Sequence, residues 1–374
     1  MKKNPGLPSN LIVHLSLTGN CNFRCTICPS SREDRKYKRP DIDSPLLDFI
    51  VKTVLPHCST LILGGNSLGE VTTHKYFPLF LNGVFSKHTE MEMRLTTNGY
   101  RIGDFAANLA RKFSFISISF DGATRETYES IRRYPFEKII RNIEKLSGER
   151  TRAGSGLKIG LGMTLLYKNI HELPALIDLA ADLGVDMVVG SFFIPNFPSE
   201  RNQCLYYHQK YANDIADIAA ERAERRGITF KMPRYRLPDT GLSEEDKRSP
   251  YMKCELPFTM INISETGKVT PCCANPTIMG DLMYQGIEDI WNGIRYARFR
   301  KNVGANLYCR ICHTPVFGEH ASTGYMLDPS YQIKTIGSDL SPLLSLRAGA
   351  FQFLSNYKTG SRIINLAKGI AKRK

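Results

Sequence analysis

The sequence predicts an α/β fold whose centre is a parallel sheet. Six units, in which an apolar strand is followed by a helix, succeed one another in the first half of the chain. Strands that alternate with helices in this way form parallel sheets, and right-handed crossovers arrange them either as a doubly wound sheet or as a barrel. Active sites of such barrels lie at the carboxyl ends of the strands.

The elements follow this alternation in order. The first buried strand is predicted at Leu11 to Leu17, and the helix after it is marked by Ser44 as N-cap and Pro45 at the first helical position. Further strands are predicted at residues 60–63, 91–96, 115–120, 158–166, 186–193 and 228–232. Helices are predicted at residues 76–85, 105–112, 125–146, 170–183 and 203–226.

Size and composition indicate a globular protein. The 374 residues are enough for two or three domains, and the hydrophobic and charged fractions of 42% and 23% are ordinary. No apolar stretch approaches the roughly 20 residues that a spanning helix needs. The ten cysteines are dilute overall but locally clustered, and residues 1–10 carry no signal peptide. We therefore expect a soluble, cytoplasmic protein whose cysteines bind metal.

The positive charge is concentrated at the carboxyl end. Of the net charge of +14, seven units come from the last 35 residues, where seven basic residues follow Asp339 without an acidic one. A helix over 362–374 would have one apolar side and could lie on an anionic membrane surface or contact a phosphate-bearing partner. A solvated, frayed terminus is the simpler interpretation. No nucleic-acid motif accompanies the charge, so no nucleic-acid partner is expected.

Three cysteines follow the first predicted strand. Cys21, Cys25 and Cys28 have three and then two residues between them. Thiolates at this spacing can take three corners of an iron-sulfur cube and leave the fourth iron open. Zinc is an alternative, but it usually recruits paired C-x-x-C units or histidines, and no histidine is near this loop in sequence. A disulfide framework would need an oxidising compartment.

The C-x3-C-x2-C spacing resembles the cluster loop of the radical S-adenosylmethionine (radical SAM) enzymes, and the resemblance extends over Leu11 to Ser191. It implies a partial six-stranded, TIM-like barrel. It also implies a 4Fe-4S cluster whose open iron binds SAM, and an electron that splits SAM into methionine and a 5'-deoxyadenosyl radical. The reductant would be a flavodoxin or a ferredoxin.

The resemblance also implies which residues hold SAM. Gly69 and Glu70 match the motif that binds the amino group of the cofactor, although Val71 stands where the family has proline. Ile27 matches the position that packs on the adenine, and Asn98 matches a turn residue of the family. Two strand-four positions match residues near the ribose and carboxylate of the cofactor, Ser119 and Asp121. Arg132 and Arg133 are interpreted as a solvated helix face.

A second metal site is predicted in the carboxyl-terminal half. Phe258 to Ile263 and Lys268 to Thr270 are expected to form a hairpin that brings Cys254 and Cys272 together. Cys309 and Cys312 supply two more thiols, one turn apart. Together these four cysteines resemble the auxiliary iron-sulfur domain called SPASM, in the one-cluster form that is called twitch. The implied ligands of one auxiliary 4Fe-4S cluster are Cys254, Cys272, Cys309 and Cys312. A four-cysteine zinc site is the alternative.

Several other residues are assigned from single sequence features. Cys273 adjoins Cys272, and Cys272 is preferred because Gly267 precedes it by five positions, as the domain pattern has it. Cys58 and Cys204 are interpreted as buried thiols. The region 287–300, with Trp291 on its apolar side, is interpreted as a structural helix.

We expect a radical SAM core at 1–230, an auxiliary iron-sulfur domain at 231–330 and a basic tail at 331–374. The predicted function is abstraction of a substrate hydrogen atom, for the oxidation or epimerisation of a small molecule such as a sugar or aminocyclitol. Only about ten residues precede strand one, which argues against an N-terminal peptide-recognition domain. Peptide or protein modification is the alternative, and a non-catalytic metal-cluster scaffold is an alternative of another class. The catalytic residues of the substrate step are unknown.

Overall fold

The computed structural model describes residues 6–28, 31, 40–65, 69–78, 81–82, 90–193, 195, 198–235, 254–272, 275–303 and 309. The chain forms two compact units, Met1–Ile194 with Asn202–Met326 and Pro195–Arg201 with Leu327–Lys374. The second unit includes residues 195 and 198–201 of the described set. The sheet and the candidate site belong to the first unit.

A mostly parallel sheet organises the first unit. Its strands are β1 (Leu11–Leu15), β2 (Cys58–Leu63), β3 (Glu92–Thr97), β4 (Phe115–Ser119), β5 (Lys158–Leu165), β6 (Met187–Phe192), β7 (Thr229–Lys231), β8 (Met260–Ile263), β9 (Lys268–Thr270) and β10 (Gly280–Asp281). They lie in the order β10-β9-β8-β1-β2-β3-β4-β5-β6-β7. Strand β8 and strands β1 to β7 are parallel, and β9 and β10 are antiparallel. The predicted α/β class is confirmed.

Helices connect these strands. They are α1 (Ser44–Thr53), α2 (Ala106–Lys112), α3 (Arg125–Arg132), α4 (Phe136–Ala153), α5 (Leu173–Asp182), α6 (Gln209–Arg226), α7 (Leu256–Thr259), α8 (Ile287–Asn292) and α9 (Ile294–Lys301). Residues 77–78 and 81–82 are also helical. None of the helices that the structure describes has both the length and the apolar character needed to cross a membrane.

The two faces of the parallel sheet differ. On one face, alternate strand residues such as Val13, Leu95 and Ile118 are fully buried in one core with apolar residues of the helices. On the opposite face, which we call the inner face, residues such as His14 and Arg94 are only partly buried. The described helices therefore pack on the first face, and the inner face is less completely buried among the described residues, as in a partial TIM-like barrel.

Several element boundaries differ from the predicted ones. The single predicted helix at 125–146 is two helices, because Arg133 adopts a left-handed conformation with φ of 56° and Pro135 follows it. Helix α6 begins at Gln209, six residues later than predicted. The predicted helix at 287–300 is divided at Gly293, whose backbone is extended.

The start of α1 is also shifted by one residue. Ser44 was predicted as the N-cap, but the cap is Asp43, whose Oδ1 accepts a hydrogen bond of 2.9 Å from the backbone N–H of Leu46. Pro45, which was predicted at the first helical position, is the second residue of the helix. Both residues are good caps, and Asp43 takes the position because its side chain reaches the third N–H of the helix.

The predicted auxiliary region continues the sheet of the core. The predicted hairpin is present as β8 and β9, and β8 pairs in parallel with β1, with Met260 opposite Ile12 and Ile263 opposite Leu15. The proposed domain division at 230 and 330 stays a prediction. The basic tail predicted at 331–374 lies outside the described residues.

Candidate active site

The loop after β1, residues 19–28, carries the three clustered cysteines and is called here the cysteine loop. It is held by the end of α3: the backbone N–H of Thr26 donates to the carbonyl of Ile131 at 2.8 Å. The thiol of Cys25 donates to the carbonyl of Arg132, with an Sγ to O distance of 3.6 Å. Cys25 is buried, and Cys21 and Cys28 are half-buried. The fold therefore fixes this loop in part by a backbone contact outside the cysteine side chains.

The surroundings of these thiols suit a metal cluster. Burial raises the pKa of Cys25 to about 12, and the nearby guanidinium of Arg132 opposes that rise only in part. Burial also raises the pKa of Cys21. A thiolate is thus costly here unless a metal supplies positive charge. Two N–H groups already point at the sulfur of Cys21: that of Phe23 at 3.4 Å and the side-chain amide of Asn98 at 3.7 Å.

Gly69 lies directly against the cysteine loop. A Cβ atom at this position would be 2.2 Å from the carbonyl oxygen of Thr18 and 2.7 Å from that of Asn20. The next residue, Glu70, donates its backbone N–H to the same Asn20 carbonyl at 2.8 Å. Only glycine allows this approach, so the segment after β2 and the cysteine loop form one packed unit.

The carboxylate of Glu70 is buried and ties the ends of two strands together. Its Oε1 accepts hydrogen bonds from the backbone N–H of Thr72 at 3.1 Å, the hydroxyl of Thr72 at 2.5 Å and the hydroxyl of Thr97 at 2.7 Å. Its Oε2 accepts one, from the backbone N–H of Asn98 at 2.7 Å. A carboxylate oxygen has two lone pairs, so Oε2 retains capacity for one further donor.

Asn98 connects the end of β3 to the cysteine loop. Its side-chain amide donates to the Oδ1 of Asn22 at 2.9 Å as well as to the sulfur of Cys21. Its own Oδ1 accepts from the backbone N–H of Tyr100 at 2.9 Å. The following Gly99 has φ of +82°, which turns the chain sharply at this point. The turn therefore aims a side-chain amide at a cysteine.

Asp121 and Arg132 form a buried ion pair beside Cys25. Arg132 donates to Oδ2 of Asp121 at 3.0 Å, and the backbone N–H of Thr164 donates to Oδ1 at 2.7 Å. Burial disfavours the charged guanidinium, but Asp121 raises the pKa of Arg132 above its usual value. The interpretation of Arg132 as a solvated residue was wrong, because the side chain turns inward to this carboxylate, whereas Arg133 is exposed.

The remaining predicted cofactor residues lie at the same edge of the sheet. Ile27 packs against Ile131, Leu166 and Phe193, which come from α3 and the ends of β5 and β6. Ser119 is half-buried at the end of β4, on the inner face, and its hydroxyl has no hydrogen-bond partner among the described residues. The apolar contacts of Ile27 and the hydroxyl of Ser119 thus lie at the same edge of the sheet as the cysteine loop.

Two buried polar residues were missed from the sequence. The carboxylate of Glu172 accepts from the backbone N–H groups of Ala123 at 2.6 Å and Thr124 at 3.1 Å, at the start of α3. Asn169 donates to the carbonyls of Asp121 at 3.0 Å and Thr164 at 2.9 Å. A single acidic residue in the apolar stretch 170–177 was the one available hint of Glu172.

The auxiliary cysteines come from separate parts of the chain. Cys254 precedes α7, Cys272 follows β9 and Cys309 lies beyond α9, and all three are half-buried. Burial raises the pKa of the Tyr296 hydroxyl, and the charge of Cys272 adds to that rise, so these two groups lie near each other. Cys273 and Cys312 lie outside the described residues.

Among the residues that the structure describes, no three His, Cys, Asp or Glu side chains are grouped closely enough to hold a single metal ion. A cubane differs from a single ion, because each thiolate binds a separate iron. Cys58 and Cys204 are buried, as predicted. The sequence-predicted ligand sets stay predictions.

Two family models match this chain, and several known proteins resemble it. The model of the Radical SAM superfamily matches residues 15–191, and that of SPASM, an iron-sulfur cluster-binding domain, matches residues 254–313. A tungsten-containing aldehyde ferredoxin oxidoreductase cofactor-modifying protein of Pyrococcus furiosus is 23% identical over 326 residues, which are 80% of this chain and 86% of that protein. An AdoMet-dependent heme synthase of Methanosarcina barkeri is 21% identical, over 85% of this chain and 94% of that protein.

A solved structure shows the same fold. Streptococcus suis SuiB, crystallised with S-adenosylmethionine, superposes with a TM-score of 0.62 at 15% sequence identity. The superposition covers 86% of this chain and 77% of SuiB. At this level of identity the likeness concerns the fold alone.

Proposed function

We propose that this chain is a radical SAM enzyme with a carboxyl-terminal SPASM domain, and that its reaction takes place over the cysteine loop at the carboxyl edge of the sheet. Its cofactors are a 4Fe-4S cluster with SAM in the core and an auxiliary 4Fe-4S cluster. When bound, the core cluster and SAM supply a 5'-deoxyadenosyl radical, formed with methionine by one-electron reduction, that removes a hydrogen atom from the substrate.

The observation that carries this proposal is the anchoring of the cysteine loop. Cys21, Cys25 and Cys28 are the proposed ligands, and the loop is fixed by the carbonyl of Ile131 and by the close approach of Gly69. Burial raises the pKa of Cys21 and Cys25, and the N–H groups directed at Cys21 and the guanidinium beside Cys25 oppose that rise in part. A preorganised loop of this kind limits where the open iron can face.

The proposed SAM site surrounds this loop. The spare lone pair of Glu70 Oε2 is suited to an ammonium group, and the half-buried hydroxyl of Ser119 is suited to a ribose or carboxylate oxygen. Ile27 and Gly69 provide apolar and close backbone contact. Asp121 is paired with Arg132, so its proposed role is to hold the end of β4 and the end of α3 together beside the cofactor.

In the auxiliary domain the proposed ligands are Cys254, Cys272, Cys309 and Cys312. Tyr296 and Arg300 pack beside this site, with the guanidinium 4.3 Å from the centre of the phenol ring. Four thiolates would complete a cubane and suit the cluster to accept an electron from an oxidised substrate. If one ligand is absent, the open iron would bind substrate instead.

The inner face supports a small, polar substrate. Below the cysteine loop it carries hydroxyl and basic side chains, among them Thr96 and Ser117 on adjacent strands. The Pyrococcus and Methanosarcina relatives quoted above match this chain over most of their own length. One is named for modifying a cofactor and the other for making heme, and both compounds are small molecules. We propose oxidation or epimerisation of a small molecule, such as a sugar, an aminocyclitol or a related compound, in preference to peptide modification.

The test is reductive cleavage of SAM by anaerobically reconstituted protein. Wild-type protein with dithionite should form 5'-deoxyadenosine, and the triple variant Cys21→Ala/Cys25→Ala/Cys28→Ala should form none and lose about four irons per chain. The matched control is Cys254→Ala/Cys272→Ala/Cys309→Ala, which should lose a similar amount of iron but still cleave SAM. Stoichiometric zinc in place of iron, or cleavage by the first variant, would refute the proposal.

The substrate class needs a separate test. Deuterium carried from a labelled candidate substrate into 5'-deoxyadenosine identifies the molecule from which hydrogen is taken. Label from a small polyol or aminocyclitol supports the proposal, and label only from a peptide supports the alternative. A scaffold without catalytic activity would produce no 5'-deoxyadenosine with any of them.

A further inference from the structure

His14 is a polar side chain on the inner face of the sheet whose hydrogen-bonding groups are unused. Both ring nitrogens are buried, and neither has a hydrogen-bond partner among the described residues. Burial, with a smaller contribution from Arg94, lowers the pKa of His14 to about 4, so the ring is neutral at pH 7. A neutral imidazole has one donor and one acceptor. Buried polar groups are normally paired, because leaving them unpaired costs free energy.

His14 lies on the strand that leads into the cysteine loop. It is opposite Ile62 of β2 on one side and Asn262 of β8 on the other. Ser16 lies two residues further along, about 7 Å nearer the carboxyl edge. Its hydroxyl donates to the carbonyl of Thr18 at 3.3 Å, and the cysteine loop begins at the next residue. The imidazole is therefore placed on the inner face below the proposed site of the reaction.

The chain after β2 passes directly over the imidazole. A Cβ atom at Gly65 would be 2.9 Å from Nδ1 of His14 and 3.2 Å from Cγ2 of Ile62, so only glycine allows this approach. Gly65 itself is exposed, and the ring thus lies directly beneath the protein surface at this point. The same chain continues in sequence to Gly69 and Glu70, two of the proposed SAM residues.

The strands around His14 offer no free positive charge. Arg94 and Lys268 are the permanent cations on the described strands β1, β2, β3, β8 and β9. Arg94 donates to both carboxylate oxygens of Glu92, at 3.0 Å each. Burial lowers the pKa of Lys268, and the nearby charge of Asp281 opposes that change. A phosphate or carboxylate beside the imidazole would therefore lose its hydration without gaining a counter-charge.

We propose that His14 contacts the substrate on the inner face and selects an uncharged, hydroxyl-rich small molecule over its phosphorylated or carboxylated counterpart. This inference rests on the proposed function and narrows its substrate class. Hydroxyl groups of a sugar or cyclitol both donate and accept, so they satisfy both ring nitrogens. A site built for such hydrogen bonds rejects analogues that leave its polar groups unpaired.

The experiment measures binding by calorimetry to anaerobically reconstituted protein in the presence of SAM. The probes are two matched pairs, myo-inositol with inositol 1-phosphate and glucose with glucose 6-phosphate. His14→Phe and His14→Leu differ in shape, and neither side chain forms hydrogen bonds. His14→Gln keeps a donor and an acceptor. The matched control is His57→Gln, which removes an imidazole from an exposed position.

At least one neutral probe should bind wild type about tenfold or more tightly than its phosphate ester. His14→Phe and His14→Leu should weaken binding of that probe about tenfold, because two hydrogen bonds are lost. His14→Gln should weaken it by less than about threefold, and His57→Gln should bind as wild type does. Without substrate, all five proteins should form 5'-deoxyadenosine from SAM and dithionite at equal rates. Loss of the fold or of the SAM site would lower those rates.

Every other outcome would overturn the proposal. Failure of both neutral probes to bind wild type, or tighter binding of a phosphate ester, would contradict the assigned substrate class. Unchanged binding of the neutral probe in His14→Phe and His14→Leu would show that His14 does not contact it. Slower SAM cleavage in both variants would place His14 in the SAM site or in support of the fold. If wild type forms no 5'-deoxyadenosine, the proposed function fails, and the calorimetric comparison still decides whether His14 binds the probe.

Discussion

The cysteine loop and the auxiliary region hold their cysteines in different ways. The cysteine loop is one continuous described segment, and hydrogen bonds from the ends of α3, β2 and β3 reach groups of the loop other than its thiols. Cys254, Cys272 and Cys309 instead lie on three separated segments, and this region joins the core through contacts that include the pairing of β8 with β1. The first site is shaped by the fold, whereas the second gathers distant segments.

This difference follows from the chemistry assigned to each site. A cluster with an open iron has to present SAM to substrate in one orientation, so its loop benefits from being rigid before metal binds. A cluster that accepts or stores an electron needs its ligands, but it does not need to be held in one orientation toward a substrate. Metal binding at gathered segments then contributes to folding, as in other small metal domains.

The largest expected effect tests whether the fold holds the cysteine loop. In iron-free protein, Arg132→Met should lower the free energy of unfolding by about 3 to 5 kcal/mol, because it leaves Asp121 buried without its charge partner. Urea denaturation followed by circular dichroism measures the change. A loss below about 1 kcal/mol, the scale of an exposed pair, would mean that the loop is not anchored by this pair.

Arg300 is the matched residue in the auxiliary region. It stacks 3.9 Å from the centre of the Trp291 ring and donates to the carbonyl of Pro257 at 2.9 Å, but no carboxylate pairs with it among the described residues. Arg300→Met should cost about 1 to 2 kcal/mol in the same iron-free assay. If Arg132→Met and Arg300→Met lower the free energy of unfolding equally, the two regions do not differ in how the fold supports them.

The second expected effect separates stability from cofactor binding. Glu70→Gln should lower the free energy of unfolding by about 2 to 3 kcal/mol, because an amide cannot accept from all four of its buried donors. It should also weaken SAM binding to the reconstituted protein by at least about tenfold, through loss of the carboxylate charge. Calorimetric titration with SAM measures the affinity.

Glu172→Gln is the control for this variant. Glu172 is also buried, and its carboxylate also accepts four hydrogen bonds, from Ala123, Thr124 and Thr127. The Glu172→Gln variant should lose a similar amount of unfolding free energy and keep the wild-type affinity for SAM. If both variants lose SAM affinity equally, Glu70 acts by supporting the fold alone.

More of the cysteine loop than of the residues that hold it in place could be predicted from the sequence. Alternating strands and helices predicted the sheet, and the cysteine spacing with Gly69, Glu70 and Asn98 predicted which turns meet. The buried partners Arg132, Asn169 and Glu172 were not foreseen, because polar residues on helices and in turns normally face solvent. Their burial depends on which carbonyls and carboxylates the tertiary fold brings near them, and local periodicity does not contain that information.

The third expected effect concerns the seam between the two regions. His14 lies on β1 between Asn262 of β8 and Ile62 of β2, and its ring nitrogens are buried without a hydrogen-bond partner among the described residues. Burial, with a smaller contribution from Arg94, lowers its pKa to about 4. The folded state therefore favours neutral imidazole, and stability is lost as pH falls below the unfolded pKa of about 6.5.

Between pH 8 and pH 5 this group should cost about 2 kcal/mol of stability. His14→Phe should remove that part of the pH dependence, and His57→Gln, at an exposed position, should keep it. Urea denaturation at several pH values provides the measurement. An unchanged slope in His14→Phe would mean that the seam opens to solvent around the imidazole.

The smallest expected effect bears most directly on the comparison. Removing iron from reconstituted protein should raise amide exchange next to Cys254 and Cys272 by roughly tenfold, equivalent to about 1.4 kcal/mol, because metal no longer joins those segments. Exchange at Thr26 and Glu70 should change by less than about threefold, since their N–H groups bond to the carbonyls of Ile131 and Asn20 whether or not metal is bound. Hydrogen exchange followed by mass spectrometry resolves the two regions. The reverse pattern would mean that metal orders the cysteine loop and that the fold alone orders the auxiliary site.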